Sequence, residues 1–201
     1  MTLTESYRAT YDAIARDHVA HWERTGRNPF QDPKVLRYNE DETIRLLRST
    51  EGSILDVGCG MGDLLLHFPD REKVGIDISM DYLKIAKARG LRVIQAEAEN
   101  LPTPDDTWDV VVGTDILEHV FDMNRVASEM VRVSRNLVIV RVPNMEPVSW
   151  NSEPYGFVHT RILDEGTMCI LFGPILGCEV QECYVAGSEI HLVAEVPCSP
   201  S

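Results

Sequence analysis

The stretch Ile54–Phe68, ILDVGCGMGDLLLHF, decides the fold of this chain. It begins as an apolar run typical of a buried strand, passes through glycines at positions 58, 60 and 62, and ends in a segment that predicts a helix. Glycine lets the backbone turn tightly and lets a ligand approach it closely. A strand, a glycine-rich turn and a helix in this order predict a ligand site beyond the carboxyl end of the strand.

Short runs rich in Val, Ile and Leu recur along the chain, and helical patterns separate several of them. The predicted strands cover residues 53–58, 73–78, 92–98, 108–115 and 136–142. Residues 79–90 predict a helix with Ser79 as its N-cap and Gly90 just past its end, and a second helix begins at Asp122. Strands buried on both faces that alternate with helices predict a parallel α/β sheet with right-handed crossovers.

The two ends of the chain differ from this middle part. Residues 1–50 predict two helices that flank a loop with Gly26 and Pro29. After Pro143 comes a turn-rich, aromatic-rich segment, then a short helix near 163–172 and two strands, 178–185 and 189–196, that predict an antiparallel hairpin. The interpretation is a single domain over 1–201, with an N-terminal helical part (1–50), a core (51–145) and a C-terminal part (146–201) that ends in the hairpin.

The composition excludes several classes of protein. A net charge of −13, from 19 Lys and Arg against 32 Asp and Glu, leaves little from which to build the basic face that nucleic acids or anionic membranes require. No apolar run reaches the roughly 18–20 residues of a membrane span, and the first residues lack the order of a signal peptide. Five irregularly spaced cysteines predict free thiols in a reducing cytoplasm. A small-molecule partner is expected, and the oligomeric state is not predicted.

Asp63 distinguishes two classes of ligand for the glycine turn. It occupies the third glycine position of the dinucleotide pattern G-x-G-x-x-G, where a carboxylate would repel a pyrophosphate docked on the helix N-terminus. S-adenosylmethionine carries a sulfonium and an ammonium and has no phosphate. A cationic ligand also suits the acids predicted near the strand ends, which are Asp56, Asp63, Asp77, Glu97, Glu99 and Asp115.

Four motifs in order resemble those of the class I S-adenosylmethionine-dependent methyltransferases. ILDVGCGMGD resembles their first motif, VGIDIS the second, and AEAENLPTPDDTWDVVVGTDILEHV the stretch through the third and fourth strands. NLVIVRVPN is similar to their fifth strand. The resemblance is to the small-molecule branch, the type 11 and ubiquinone-type methyltransferases. It implies a Rossmann-like, seven-stranded, mostly parallel sheet with helices on both faces, an antiparallel C-terminal hairpin strand, and S-adenosylmethionine as the cofactor.

The resemblance also implies which residues hold the cofactor. Asp77 would accept hydrogen bonds from both ribose hydroxyls, Ile78 would pack on the adenine, and Glu97 with the Ala98 backbone would reach the adenine amino group. Thr114 or Asp115 would lie near the methionine ammonium. The methionine half would be lined by Asp56, Gly58, Gly60 and Gly62, and Tyr11 would lie on an N-terminal helix that closes over the cofactor.

Two histidines are candidate bases, because a base is needed when the methyl acceptor is a protonated hydroxyl or amine. His119 lies just past the fourth strand and His159 in the segment that roofs the acceptor pocket in relatives. The predicted acceptor contacts are Trp150, Tyr155, Phe157 and Arg161.

Metal binding is a second role for the region of His119. Asp115, Glu118 and His119 share one face of a helical turn and resemble the cation-binding cluster of ubiquinone-type O-methyltransferases. The Leu-Glu-His core is widespread in this branch with a structural role, and the prediction is no metal.

Two function classes remain open at this stage. The chain is predicted to be an enzyme that methylates an O, N or C nucleophile of a small molecule. The alternative is a protein of the same fold that binds S-adenosylmethionine and acts through a partner enzyme, as the accessory proteins of methionine biosynthesis do. A protein or nucleic-acid methyltransferase is a weaker third interpretation.

Overall fold

The computed structural model describes residues 3–25, 40–144 and 161–197. The helices are α1 (Leu3–Thr25), α2 (Glu40–Arg48), α3 (Asp63–Leu66), α4 (Met80–Ala88), α5 (Met123–Val133) and α6 (Glu165–Ile170), and a π-helical turn (Leu171–Ile175) continues α6. The strands are β1 (Ile54–Val57), β2 (Lys73–Asp77), β3 (Val93–Gln95), β4 (Trp108–Thr114), β5 (Ser134–Pro143), β6 (Glu179–Ala186) and β7 (Glu189–Glu195). Within these ranges no helix is long and apolar enough to span a bilayer.

The strands form one sheet in the order β3-β2-β1-β4-β5-β7-β6. The first five strands run parallel, while β7 pairs antiparallel with both β5 and β6. The order reverses beside β1, because β2 lies on one side of β1 and β4 on the other. Parallel strands present their carboxyl ends at one edge, and the crevice at such a reversal is where α/β sheets hold ligands.

Residues of the central strands β1, β4 and β5 enter two separate apolar cores, as a parallel sheet covered on both faces requires. Leu55 and Val57 of β1 pack in a core that includes residues of α5 and α6. Ile54, on the opposite face of the same strand, packs with residues of α2 and α3. The predicted fold, with helices on both faces and an antiparallel C-terminal hairpin, is therefore confirmed.

The helix signals were also largely correct. The Ser79 side chain caps α4 by accepting a hydrogen bond from the Tyr82 N–H, and Asp122 caps α5 in the same way. Gly90 takes a positive φ of 86° just past α4, which favours glycine at that position.

Element boundaries are where sequence and structure differ. The strand predicted over 92–98 is shortened to Val93–Gln95, and β5 begins at Ser134, directly after α5 ends. The helix predicted near 163–172 becomes α6 plus a π-helical turn that contains Pro174. Proline has no N–H to donate, so regular α-helical bonding is not continued there. The loop predicted around Gly26 and Pro29 lies outside the described residues.

Candidate active site

A cavity of about 190 Å³ lies at the carboxyl ends of β1, β2 and β4, beneath α1. One water molecule needs only about 10–15 Å³ by this kind of measure, so the cavity has room for a much larger ligand. The predicted cofactor residues that line it are Tyr11, Asp56, Gly58, Gly60, Asp77, Ile78, Ala98, Thr114 and Asp115. Five carboxylates contribute to its wall, those of Asp56, Asp63, Asp77, Glu99 and Asp115.

Each of the three positions in the turn is occupied by glycine for a different structural reason. Gly60 has a φ of 51°, and a Cβ at this position would meet no atom within 4 Å, so the bare backbone borders open space. Gly58 has a φ of 81°, and its Cβ would come within 2.9 Å of Ile116. Gly62 does not line the cavity; its Cβ would lie 2.1 Å from a methyl of Leu91. The methionine contact predicted for Gly62 thus has a packing explanation instead.

Asp63 begins α3 and is compensated by a cation that the sequence did not reveal. Arg89, at the end of α4, donates to the Asp63 carboxylate at 2.7 Å and to the Met61 carbonyl at 2.8 Å. The ion pair joins the glycine turn to α4. It also reduces the negative charge that Asp63 presents, which weakens the electrostatic argument against a phosphate at this helix.

Asp77 ends β2 with both carboxylate oxygens turned to backbone donors. The Gly60 N–H donates to Oδ2 at 2.9 Å and the Ser79 N–H donates to Oδ1 at 2.8 Å. Each oxygen has a second lone pair for a ligand hydroxyl. Burial raises the pKa of Asp77 to about 6, although the backbone hydrogen bonds from Ser79 and Gly60 oppose that rise.

Helix α1 closes one side of the cavity with Tyr11 and Ile14. It is docked on α4 through polar contacts, because the Ser79 hydroxyl donates to Asp12 at 2.9 Å and His18 shares a hydrogen bond with the Tyr82 hydroxyl. His18 is fully buried, and burial lowers its pKa to about 4. The neutral imidazole is therefore part of the docked arrangement.

Glu97 and Glu99 differ in whether they reach the cavity. Glu97, which was predicted to reach the adenine amino group, does not line the cavity and instead pairs with Arg8 of α1 at 3.4 Å. Glu99 lines the cavity together with Ala98. The third strand ends at Gln95, and the chain beyond it turns so that residues 96, 98 and 99 border the cavity while 97 faces α1.

Asp115 belongs to a buried ionic network at the far end of the cavity. Its backbone has a positive φ of 52°, and its carboxylate accepts from the guanidinium of Arg141 on β5. Behind Arg141 lies Glu189, 3.6 Å from the guanidinium, and His191 lies 3.4 Å from Glu189. Because Arg141 is 5% exposed and Glu189 is 0% exposed, the network fixes the polar wall next to Thr114.

His119 lines the cavity, whereas Glu118 lies beneath it. The His119 ring meets the Tyr11 ring edge-on at a centroid distance of 6.1 Å, so α1 and the turn after β4 are in contact. Glu118 is 1% exposed; burial, reinforced by the charge of Asp115, raises its pKa well above the usual range. Among the described residues, no three His, Cys, Asp or Glu side chains are arranged to hold a metal ion.

The predicted acceptor contacts are only partly described. Trp150, Tyr155, Phe157 and His159 lie outside the described residues. Arg161 is described and does not line the cavity, because its guanidinium donates to the backbone carbonyls of Leu117, Val120 and Phe121 at 2.6–3.0 Å. These bonds tie the chain before α6 to the turn that carries His119, so Arg161 positions that turn and leaves the predicted acceptor contact without support.

Several cavity residues were not predicted from the sequence. They include Ile14, Met61, Tyr82, Ile116, Val120 and Arg141. Arg141 had a usable signal, because an arginine within the apolar run NLVIVRV is an unusual charge in a buried strand. The apolar residues had none, since a residue that packs on a ligand and one that packs on the core look alike in a sequence.

Comparison with known proteins supports the same family. Residues 54–136 match the family model of a methyltransferase domain. The chain is 34% identical over 125 residues to a probable S-adenosylmethionine-dependent methyltransferase of Mycobacterium tuberculosis, covering 58% of this chain and 45% of that protein. It is 27% identical over 144 residues to the bifunctional methionine biosynthesis protein MetXA/MetW of Rhodopirellula baltica, covering 65% of this chain and 23% of that protein.

A solved structure shows the same fold over most of the chain. It is a methyltransferase of Thermotoga maritima, described as a possible histamine N-methyltransferase, with a TM-score of 0.73 and 20% identity over 92% of this chain and 99% of that one. The chain spans about half, or less, of the length of the curated relatives it matches. Residues 54–136 thus resemble a methyltransferase domain, and the named relatives and the geometry of the cavity agree with that resemblance.

Proposed function

We propose that this protein transfers the methyl group of S-adenosylmethionine to an oxygen, nitrogen or carbon nucleophile of a small molecule. The observation that carries the proposal is Asp77, whose two oxygens are held by backbone N–H groups at the wall of an acidic cavity. The residues present fit this cofactor. The two carboxylate oxygens of Asp77 suit the two hydroxyls of a ribose, and the surrounding acids suit a sulfonium and an ammonium. Gly60 leaves backbone exposed to the cavity.

The chain's own residues would contribute mainly binding and exclusion of water. Tyr11 and Ile14 of α1 cover the cavity. A nucleophile that is aligned there and shielded from water can react through proximity alone, which lowers the activation barrier by several kcal/mol. Bound S-adenosylmethionine would supply the methyl group to the nucleophile's electron pair and leave as a neutral thioether.

A base is required only for a protonated nucleophile, and two histidines remain candidates. His119 supports this role by lining the cavity, and His159 is proposed from its place in the sequence. Histidine's usual pKa near 6.5 suits proton acceptance at neutral pH. His159→Ala is expected to lower kcat about 10²–10⁴-fold while S-adenosylmethionine affinity stays nearly unchanged.

The experiment is a screen of small-molecule acceptors with S-adenosylmethionine and detection of S-adenosylhomocysteine. Release of this product with at least one acceptor, and its loss in the Asp77→Ala variant, would support the proposal. We further propose that no divalent cation takes part, so that a chelator leaves the rate unchanged. Binding of the cofactor without turnover of any acceptor would contradict the proposed enzyme.

A second candidate is a cofactor-binding protein that acts through a partner enzyme. The likeness to the bifunctional methionine biosynthesis protein favours it, because that match covers 65% of this chain. Product release by the chain alone separates the two candidates. A nucleic-acid methyltransferase is disfavoured by the net charge of −13. Free thiols at Cys59, Cys169, Cys178 and Cys183 support our proposal of a reducing, cytoplasmic setting.

A further inference from the structure

Two cysteines face each other between α6 and the edge strand β6, remote from the cavity. Cys183 lies opposite Leu192 of β7 in the strand register, and both pack against the core that α6 covers. The Cys183 sulfur lies 3.8 Å from the Glu165 carbonyl oxygen, one helical turn before Cys169. Strand register and helix face thus direct both side chains into the same narrow space.

Cys183 and Cys169 are neighbours, and both thiols are reachable from solvent. The Cys183 thiol donates a hydrogen bond to the Glu165 carbonyl. Burial and the contact with Cys169 raise the pKa of this thiol to about 12, so Cys183 keeps its proton at neutral pH. Cys169 and Cys183 are half-buried, whereas Cys59 and Cys178 are each 8% exposed. A small oxidant therefore reaches the facing pair more readily than Cys59 or Cys178.

We propose that Cys169 and Cys183 form a reversible disulfide when the protein meets a hydroperoxide. The Cys169 sulfur, which loses its proton on attack, bonds to a peroxide oxygen, the O–O bond breaks, and water leaves. The Cys183 sulfur then attacks the resulting sulfenic acid, the S–O bond breaks, and a second water leaves. The two thiols together lose two electrons and two protons, and hydrogen peroxide is reduced to two molecules of water.

The cross-link would tie an edge strand to the helix that covers it. Among the described residues, strand β6 pairs with β7 alone, and it borders α6 on one face. The bond closes a loop of fifteen residues, 169 to 183, which constrains the unfolded chain. A rise in melting temperature of about 5–10 °C is expected for a loop of this size in a chain of this length. Neither cysteine lines the cofactor cavity, so S-adenosylmethionine affinity should stay within about twofold.

The test uses the full chain, reduced, exposed to hydrogen peroxide, alkylated and cleaved after glutamate. Trypsin is unsuitable because residues 162–201 contain no Lys or Arg, so that Cys169 and Cys183 would stay in one peptide. Cleavage after glutamate gives peptide 166–179, with Cys169 and Cys178, and peptide 183–189, with Cys183. A dithiothreitol-sensitive cross-link between these peptides is expected in the wild type and in Cys178→Ser.

Cys169→Ser decides which sulfur takes part. The cross-link should disappear in Cys169→Ser and remain in the matched control Cys178→Ser, where only Cys169 can supply it. Three results would overturn the proposal: a cross-link that persists in Cys169→Ser, peptide 183–189 recovered fully alkylated after peroxide treatment of Cys178→Ser, or a lower melting temperature in the cross-linked protein. If Cys169→Ser fails to fold, Cys178→Ser alone still decides the assignment.

Discussion

Replacing Asp77 with asparagine removes a negative charge from the cavity and puts an amide nitrogen where an oxygen accepts a backbone hydrogen bond. Both oxygens are used in this way, by Gly60 and by Ser79, so one of these N–H groups loses its acceptor. That internal loss lowers stability, whereas affinity falls because the ribose hydroxyl also loses a charged acceptor. Loss of a hydrogen bond to a charged group costs about 1.5–3 kcal/mol, which is a 10- to 150-fold weaker affinity for S-adenosylmethionine. Asp77→Ala is expected to fall in the same range.

The pH dependence of binding isolates the charge of Asp77. Its pKa of about 6 leaves the carboxylate about nine-tenths ionised at pH 7 and about one-tenth ionised at pH 5. Affinity should therefore fall about tenfold between pH 7 and pH 5 in the wild type, and this dependence should be absent in Asp77→Asn. Titration calorimetry at both pH values measures it, with Asp70→Asn as control, because Asp70 is an exposed acid away from the cavity.

Stability of the empty protein should change with pH in the opposite direction. Because burial raises the pKa of Asp77, the folded state holds this proton more tightly than the unfolded chain does. The contribution of Asp77 is full below pH 3.8 and is lost as pH rises through 6, a difference of about 3 kcal/mol. Equal affinity in the wild type and Asp77→Asn at pH 7 would refute the assignment of Asp77 to the ribose.

Three further predictions follow from the site. Arg161→Gln should lower the melting temperature by about 5–10 °C, because three backbone carbonyls lose their charged donor, and cofactor affinity should change by no more than about twofold. An unchanged melting temperature together with impaired acceptor turnover would instead favour the acceptor contact that the sequence predicted for Arg161. Burial lowers the pKa of His18, so its contribution to stability is full above pH 6.5 and is lost as the pH falls towards 4. In urea unfolding, the difference in free energy of unfolding between wild type and His18→Gln should be about 3 kcal/mol smaller at pH 4 than at pH 7. The same difference at both pH values would contradict this prediction. Glu99→Ala should weaken cofactor binding more than Glu97→Ala in calorimetry, and the reverse order would favour the sequence-based assignment.

The sheet and its ligand edge could be predicted because local patterns encode them. Continuous Val and Ile runs, the caps Ser79 and Asp122, and the glycine at 90 each act within a few residues. The glycine turn likewise predicted the ligand site, because a positive φ at Gly58 and Gly60 is a property of the turn itself. Such features need no knowledge of distant contacts.

The details of the site depended on contacts that the sequence does not show. Arg89 lies 26 residues from Asp63 and Arg141 lies 26 residues from Asp115, so neither ion pair could be inferred from spacing. Gly62 was assigned to the cofactor although Leu91 explains it. Glu97 and Glu99 differ by two positions in an irregular loop, where no helix or strand period tells which side chain faces the cavity.

The central claim is that this cavity holds S-adenosylmethionine, and the most direct test is calorimetric titration of the wild-type chain with that cofactor and, separately, with NAD. We predict saturable binding of S-adenosylmethionine at one site per chain and no measurable binding of NAD. Binding of NAD without binding of S-adenosylmethionine would contradict the assignment of the glycine turn, the acidic wall and Asp77 together.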